Sequence, residues 1–243
     1  MSIALESSHL RSAASLTKTD SSLPLSEAYA EVLPTGLLRG QVVACQGPAA
    51  YSIALGLISR AIAVGSWLAM VDLEQISPEA LVEFDIPLHR VVGISTGDDP
   101  ANVLSAVFDG FDVVIIPACR YRGALARRIA QRIRAKGVTL VVIDDSNEIR
   151  ANDTASLGDI ELVGSDIRWE GIGWGTGRLL ARHLTVSATG RRSPRPLRSQ
   201  MQLPPENGTD MRWFQDDETD HINDELTDVV AESEELRWRL RAV

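Results

Sequence analysis

The chain has 243 residues, 44% of them hydrophobic, and a formal net charge of −9. That length holds one α/β domain with tails and is short for two full domains. The acidic balance argues against a globally basic nucleic-acid binder, although it leaves room for a local basic patch. No stretch approaches the roughly 20 uninterrupted apolar residues of a membrane span. The N-terminus lacks a charged segment followed by an apolar run, so the expected setting is cytoplasmic, with no membrane contact. Cys45 and Cys119 sit at or just after apolar strands and read as buried thiols. Neither they nor His9, His89, His183 and His221 have metal-ligand or triad spacing.

Residues 1–32 are Ser-rich and weakly patterned. They allow short helices over 3–16 and 25–32 and read as a flexible or loosely docked, partly disordered arm. From 33 to 190 the chain alternates between strands and helices. Strands are predicted over 42–46, 67–71, 90–94, 111–116 and 138–143. Helices are predicted over 49–64, 80–84, 100–108 and 122–135. Ser77-Pro78-Glu79 and Asp99-Pro100 supply an N-cap and a first-turn proline for two of the helices. Short β-branched strands separated by helices indicate a parallel sheet covered on both faces. After a polar loop at 146–158, segments 160–169 and 179–188 flank a Gly-rich turn and predict an antiparallel hairpin on the sheet edge.

Residues 191–203 hold four arginines, two prolines and no acid, and read as an extended basic linker. From 204 to 243, twelve acids face four arginines, a net charge of −8. Ile222, Leu226, Val229, Leu236 and Leu240 fall largely on one helical face of this acidic tail. Trp213, Phe214 and Trp238 flank it, and tryptophan is a favoured interface anchor. Trp213, Phe214, Leu226, Val229, Leu236, Trp238 and Leu240 are therefore the candidate partner contacts, with docking onto the chain's own core as the alternative.

The most informative stretch begins at Gln41, where a strand runs into Gly47-Pro48 and then an apolar helix. A P-loop occupies that place in nucleotide-binding α/β proteins. Its motif, G-x-x-x-x-G-K-[ST], wraps phosphates in backbone N–H groups, and its lysine and hydroxyl reach the β/γ-phosphates and magnesium. On that spacing Gly47 is the first glycine, Ser52 takes the second glycine's place, Ile53 the lysine's and Ala54 the hydroxyl's. The turn is present without its chemistry, so no nucleotide, metal or other cofactor is expected. Asp72, Glu74, Asp144 and Asp145 stand at predicted strand ends, where α/β proteins place ligand groups and where ordinary polar loops also begin. The helix of 122–135 brings Arg122, Arg127, Arg128 and Arg132 together as candidate DNA contacts. A solvated helix face is the competing reading.

Taken in order, these elements resemble the RecA core. Leu37-Leu38-Arg39-Gly40 resembles the run entering the RecA phosphate-loop strand, and Gly47-Pro48 the start of that loop. Met70-Val71-Asp72-Leu73-Glu74 resembles the strand end that carries the family's catalytic glutamate, which puts Glu74 at that position. Residues 111–116 resemble the Walker B strand, with Pro117 where its aspartate would stand, and 138–143 the strand leading to the nucleotide-sensing glutamine, replaced by Asp144 or Asp145. A RecA-like core with a spoiled site and a tailed C-terminus is similar to the ImuA family, in particular its divergent ImuA′ branch. The resemblance implies a non-enzymatic accessory factor of mutagenic translesion synthesis. Its partners would be an ImuB-like polymerase adaptor, through it a DnaE-type error-prone polymerase, and RecA or a second copy of the chain. The alternatives are a divergent DNA-dependent ATPase of the RecA family and a regulator that binds RecA filaments or a cell-division protein.

Overall fold

The computed structural model describes residues 22–118, 124–145, 158–172, 177–190 and 193–205. All belong to a unit that ends at Arg212. A second unit, Trp213–Val243, lies outside the described residues.

The elements are β1 (Ser22–Leu23), α1 (Glu27–Val32), β2 (Leu37–Leu38), β3 (Val42–Gln46), α2 (Ala50–Ala63), β4 (Leu68–Val71) and α3 (Pro78–Glu83). They continue with β5 (Val91–Ile94), α4 (Pro100–Gly110), β6 (Val113–Pro117), α5 (Ala124–Lys136) and β7 (Thr139–Asp144), and end with β8 (Ile160–Ile172), β9 (Gly177–Gly190) and β10 (Ser193–Leu203). The caps form as the sequence requires. Ser77 accepts from the Ala80 N–H at 3.3 Å and Asp99 from the Asn102 N–H at 3.3 Å, each with proline in the first turn.

One eight-stranded sheet runs β10-β9-β8-β3-β7-β6-β4-β5. The six strands from β8 to β5 are parallel, and β9 and β10 add antiparallel. The sheet is thus mixed. The inner parallel strands β3, β4, β6 and β7 are short apolar runs, buried almost throughout, because helices cover both faces. Val43, Cys45, Met70, Ile115 and Val141 join α1, α2 and α3 in one core. Val42, Ala69, Val114, Ile116 and Val142 face the other way and pack with α4 and α5 in a second. Helix α2 is apolar almost all round and is mostly buried, as expected of a helix pressed onto a sheet.

Three expectations are corrected. The arm is docked from Ser22 onward: β1 pairs with β2, and Tyr29 on α1 is fully buried with its hydroxyl donating to the Ile53 carbonyl at 2.8 Å. The helix expected over 3–16 lies outside the described residues. The antiparallel hairpin forms as β8 and β9, with β8 joining β3 in parallel over Ile160–Val163, but it is not the outermost part of the sheet, because β10 pairs with the far side of β9. The edge is β10, in the segment expected to be a basic linker, so the core extends past 190. Ser199, Met201 and Leu203 are buried in alternation with outward Arg198, Gln200 and Gln202. Pro194 and Pro196 fall where the register with β9 shifts between Ser193 and Leu197. An edge strand tolerates proline because one of its sides needs no partner.

Candidate functional site at the carboxyl edge of the sheet

Strand β3 lies mid-sheet, and the turn at its carboxyl end is where an open α/β sheet offers a ligand crevice. Gly47 holds φ +84°, a conformation that glycine adopts without strain. Its N–H donates to the Asp144 carbonyl at 2.9 Å, the Ala50 N–H to the Gly47 carbonyl at 3.0 Å, and the Ile53 N–H to the Ala49 carbonyl at 2.9 Å. These donors are engaged with the protein's own backbone. Ser52 is half-buried. Ile53 and Ala54 are fully buried in the core under α2.

The loop is pressed onto β8. A Cβ built on Gly164 would stand 3.1 Å from Ala49 Cβ, 3.1 Å from Leu184 Cδ1 and 3.2 Å from Ile53 Cδ1. A glycine there lets the start of α2 settle directly on the neighbouring strand.

The strand-end acids do not converge. Asp72, at φ +52°, accepts from the Thr96 N–H at 2.9 Å and the Thr96 hydroxyl at 2.6 Å. It brackets the ends of β4 and β5. Glu74 is exposed, and its neighbour Gln75 hydrogen-bonds the Tyr51 hydroxyl. Asp144 is half-buried and Asp145 exposed. Among the described residues no group of three metal-ligating side chains is gathered. Pro117, paired with Ile143, ends β6 at the Walker B position.

Beyond Val163, β8 outruns β3 and continues with β9 as an arm past the carboxyl edge. Trp169, Leu179 and Leu180 on this arm are about half exposed, at 50%, 47% and 55%. Arg182 stacks over the Trp169 ring at 4.1 Å, and burial holds its guanidinium below the usual arginine range. A cavity of about 250 Å³ separates the arm from α2 and α3, walled by Tyr51, Leu55, Ile76, Phe84, Trp169 and Leu203. These arm residues were absent from the candidate set. The signal was in the strand lengths: β8 has 13 residues and its β3 partner five, so most of β8 has to project.

The arginine cluster is partly assembled. Arg127 and Arg128 are exposed on α5. Arg132 reaches Asp109 of α4 at 3.6 Å, and Lys136 takes the same carboxylate at 2.6 Å. Lys136 is the main reason the Asp109 carboxyl sits below its ordinary range. Arg134 turns away to Asp159 at 3.0 Å. Arg122 lies outside the described residues, as do Trp213, Phe214, Leu226, Val229, Leu236, Trp238 and Leu240.

The fold therefore defines an α/β protein with a mixed sheet, helices on both faces and an antiparallel extension. No described helix is long and apolar enough to cross a membrane. Residues 31–148 match the family model of the MT3502 N-terminal domain, a span from the end of α1 through β7 that leaves out β8 to β10. The chain is also similar to a protein of Mycobacterium tuberculosis (strain ATCC 25618 / H37Rv) described as "Uncharacterized protein Rv3395c". They are 34% identical over 114 residues, 46% of this chain and 55% of the relative. The chain thus spans about half the length of that curated relative.

Proposed function

We propose that this chain is a non-catalytic, RecA-like accessory protein of the ImuA′ type. In this reading it binds an ImuB-like polymerase adaptor and so helps place a DnaE-type error-prone polymerase at damaged DNA. The observation that carries the proposal is the burial of Ile53 and Ala54, fully inside the core at the two positions where a phosphate loop needs a cation and a hydroxyl. Without the lysine, nothing on this turn offsets the β/γ-phosphate charge, and the desolvation penalty of an unpaired ion is several kcal/mol. A RecA-like reading is further supported by a central phosphate-loop strand in a six-stranded parallel array followed by antiparallel strands. Such a domain contributes by contact. The exposed Trp169, Leu179 and Leu180 supply apolar contact surface of the kind that marks interaction sites.

The test is a thermal shift of the full chain with ATP and magnesium, beside co-purification with an ImuB-like adaptor. The reading expects a flat melt through millimolar ATP and retention of the adaptor. A ligand at 100 times its Kd would stabilise by about 2.7 kcal/mol, which is roughly 5–10 °C for a domain of 150–250 residues. A shift of that size, or an adaptor that washes through, would overturn the proposal.

A further inference from the structure

The arginines of α5 have no part in an adaptor contact at the carboxyl edge, and they stand on the opposite face of the sheet from α2. Between α4 and α5 runs a groove of about 460 Å³. Arg128 and Arg132 line it from α5, with Gln131 between them, and Asn102 and Ser105 line it from α4. Among the described residues no carboxylate lines the groove itself. Its acids stand at the two ends: Asp99 caps α4 and takes the Asn102 amide at 2.7 Å, and Asp109 is held chiefly by Lys136. Arg132 is only loosely retained, at 3.6 Å from Asp109 and 3.5 Å from the Ser105 carbonyl. Arg128 makes no ion pair among the described residues.

We infer that the α4–α5 groove binds the phosphodiester backbone of a single nucleic-acid strand, with Arg128 and Arg132 on successive phosphates. One helical turn separates the two arginines by about 6 Å along the axis, comparable to the separation of neighbouring phosphates in one strand. The guanidinium fork suits phosphate oxygens, and the Gln131 amide and the Ser105 hydroxyl supply further hydrogen-bonding groups. An acidic peptide helix is the poorer occupant: a helix-in-groove contact needs accessible apolar surface, and Leu104, Phe108 and Ile129, which floor this groove beside Ala101 and Leu125, are themselves buried, leaving arginine, glutamine, asparagine and serine at its rim. A duplex is too broad to enter between two packed helices. The site is independent of the adaptor reading.

The experiment is fluorescence anisotropy of the full chain with a labelled mixed-sequence 20-nucleotide DNA strand across a salt series. Arg128→Ala/Arg132→Ala is compared with Arg195→Ala/Arg198→Ala on the β10 edge, where the same charge is lost from another exposed surface. Each single-strand phosphate contact contributes a slope of about −0.7 in log K against log salt. Losing two should flatten the slope by about 1.4 and weaken binding about 25-fold at 0.1 M salt. The β10 variant should bind like the parent, and Asp109→Asn, which releases Arg132, should bind more tightly. Equal losses in the two arginine pairs would overturn the inference. So would equally tight binding of the matching duplex, no binding by the parent at 50 mM salt, or capture of a poly-glutamate peptide in preference to the strand. All the altered side chains are exposed or half-exposed, and unchanged circular dichroism melts would verify intact folds.

Discussion

Gly164 offers the sharpest test of how the α2 turn is seated. A methyl group there meets three atoms at 3.1–3.2 Å. One of them, Ala49 Cβ, is fixed to the backbone and cannot swing aside. Overpacking a filled core costs typically about 1–3 kcal/mol. Replacing glycine also removes unfolded-state freedom, which returns about 0.4–1 kcal/mol. Gly164→Ala should therefore lose about 1 kcal/mol, and Gly164→Val, with two further carbons in the same space, about 3 kcal/mol. At roughly 2–4 °C per kcal/mol for a domain of this size, the valine variant should melt about 6–12 °C below the parent. The paired control is Gly93→Ala on edge strand β5. A Cβ there meets nothing within 4 Å, and the backbone is outside the left-handed region, so it should be neutral or stabilise by up to about 1 kcal/mol. Urea unfolding followed by far-UV circular dichroism gives both values. A Gly164→Val chain that melts within a degree of the parent would refute the contact between the loop and β8.

Two further outcomes follow from buried groups. Tyr29→Phe removes a hydroxyl that donates to the Ile53 carbonyl at 2.8 Å in a fully buried setting; it should destabilise by about 1 kcal/mol in denaturant melts, and an unchanged midpoint would show that the bond is not formed. Burial pushes the Cys45 thiol well above its usual range, and only the thiolate reacts. Peptide mapping after iodoacetamide should accordingly find Cys45 unmodified in the native chain even as pH rises from 7 to 9, and labelled once urea unfolds it.

The parallel part of the fold was legible because strands buried on both faces are written as continuous apolar runs. The segment 42–46 coincides with β3, and the Ser77 and Asp99 caps set the start of α3 and α4. Strand β10 was masked by its prolines and arginines, which signify a linker unless the alternation of Ser199, Met201 and Leu203 is weighed against them. The docking of α1 was hidden for another reason. Six residues with one tyrosine give no periodic signal, and the burial of Tyr29 depends on where α2 happens to lie. The Gly47 turn between β3 and α2 was legible from its glycine and proline, but the Gly164 contact was not, because β8 is over a hundred positions away. The projecting arm escaped notice since exposure is a property of register, and register is set between strands.

The central position of β3 also shapes how the chain meets the ribosome. Its neighbours are remote: Val42 pairs with Leu140, and Val43 with Ile160, 98 and 117 positions downstream. At about 5–20 residues per second, the middle strand waits about 6–23 s during synthesis before both sides can be closed. Helix α2, apolar almost all round, emerges in that interval with no sheet to cover it. The nascent chain is most vulnerable to aggregation there, and any truncation ahead of Ile160 leaves the centre of the sheet open on one side.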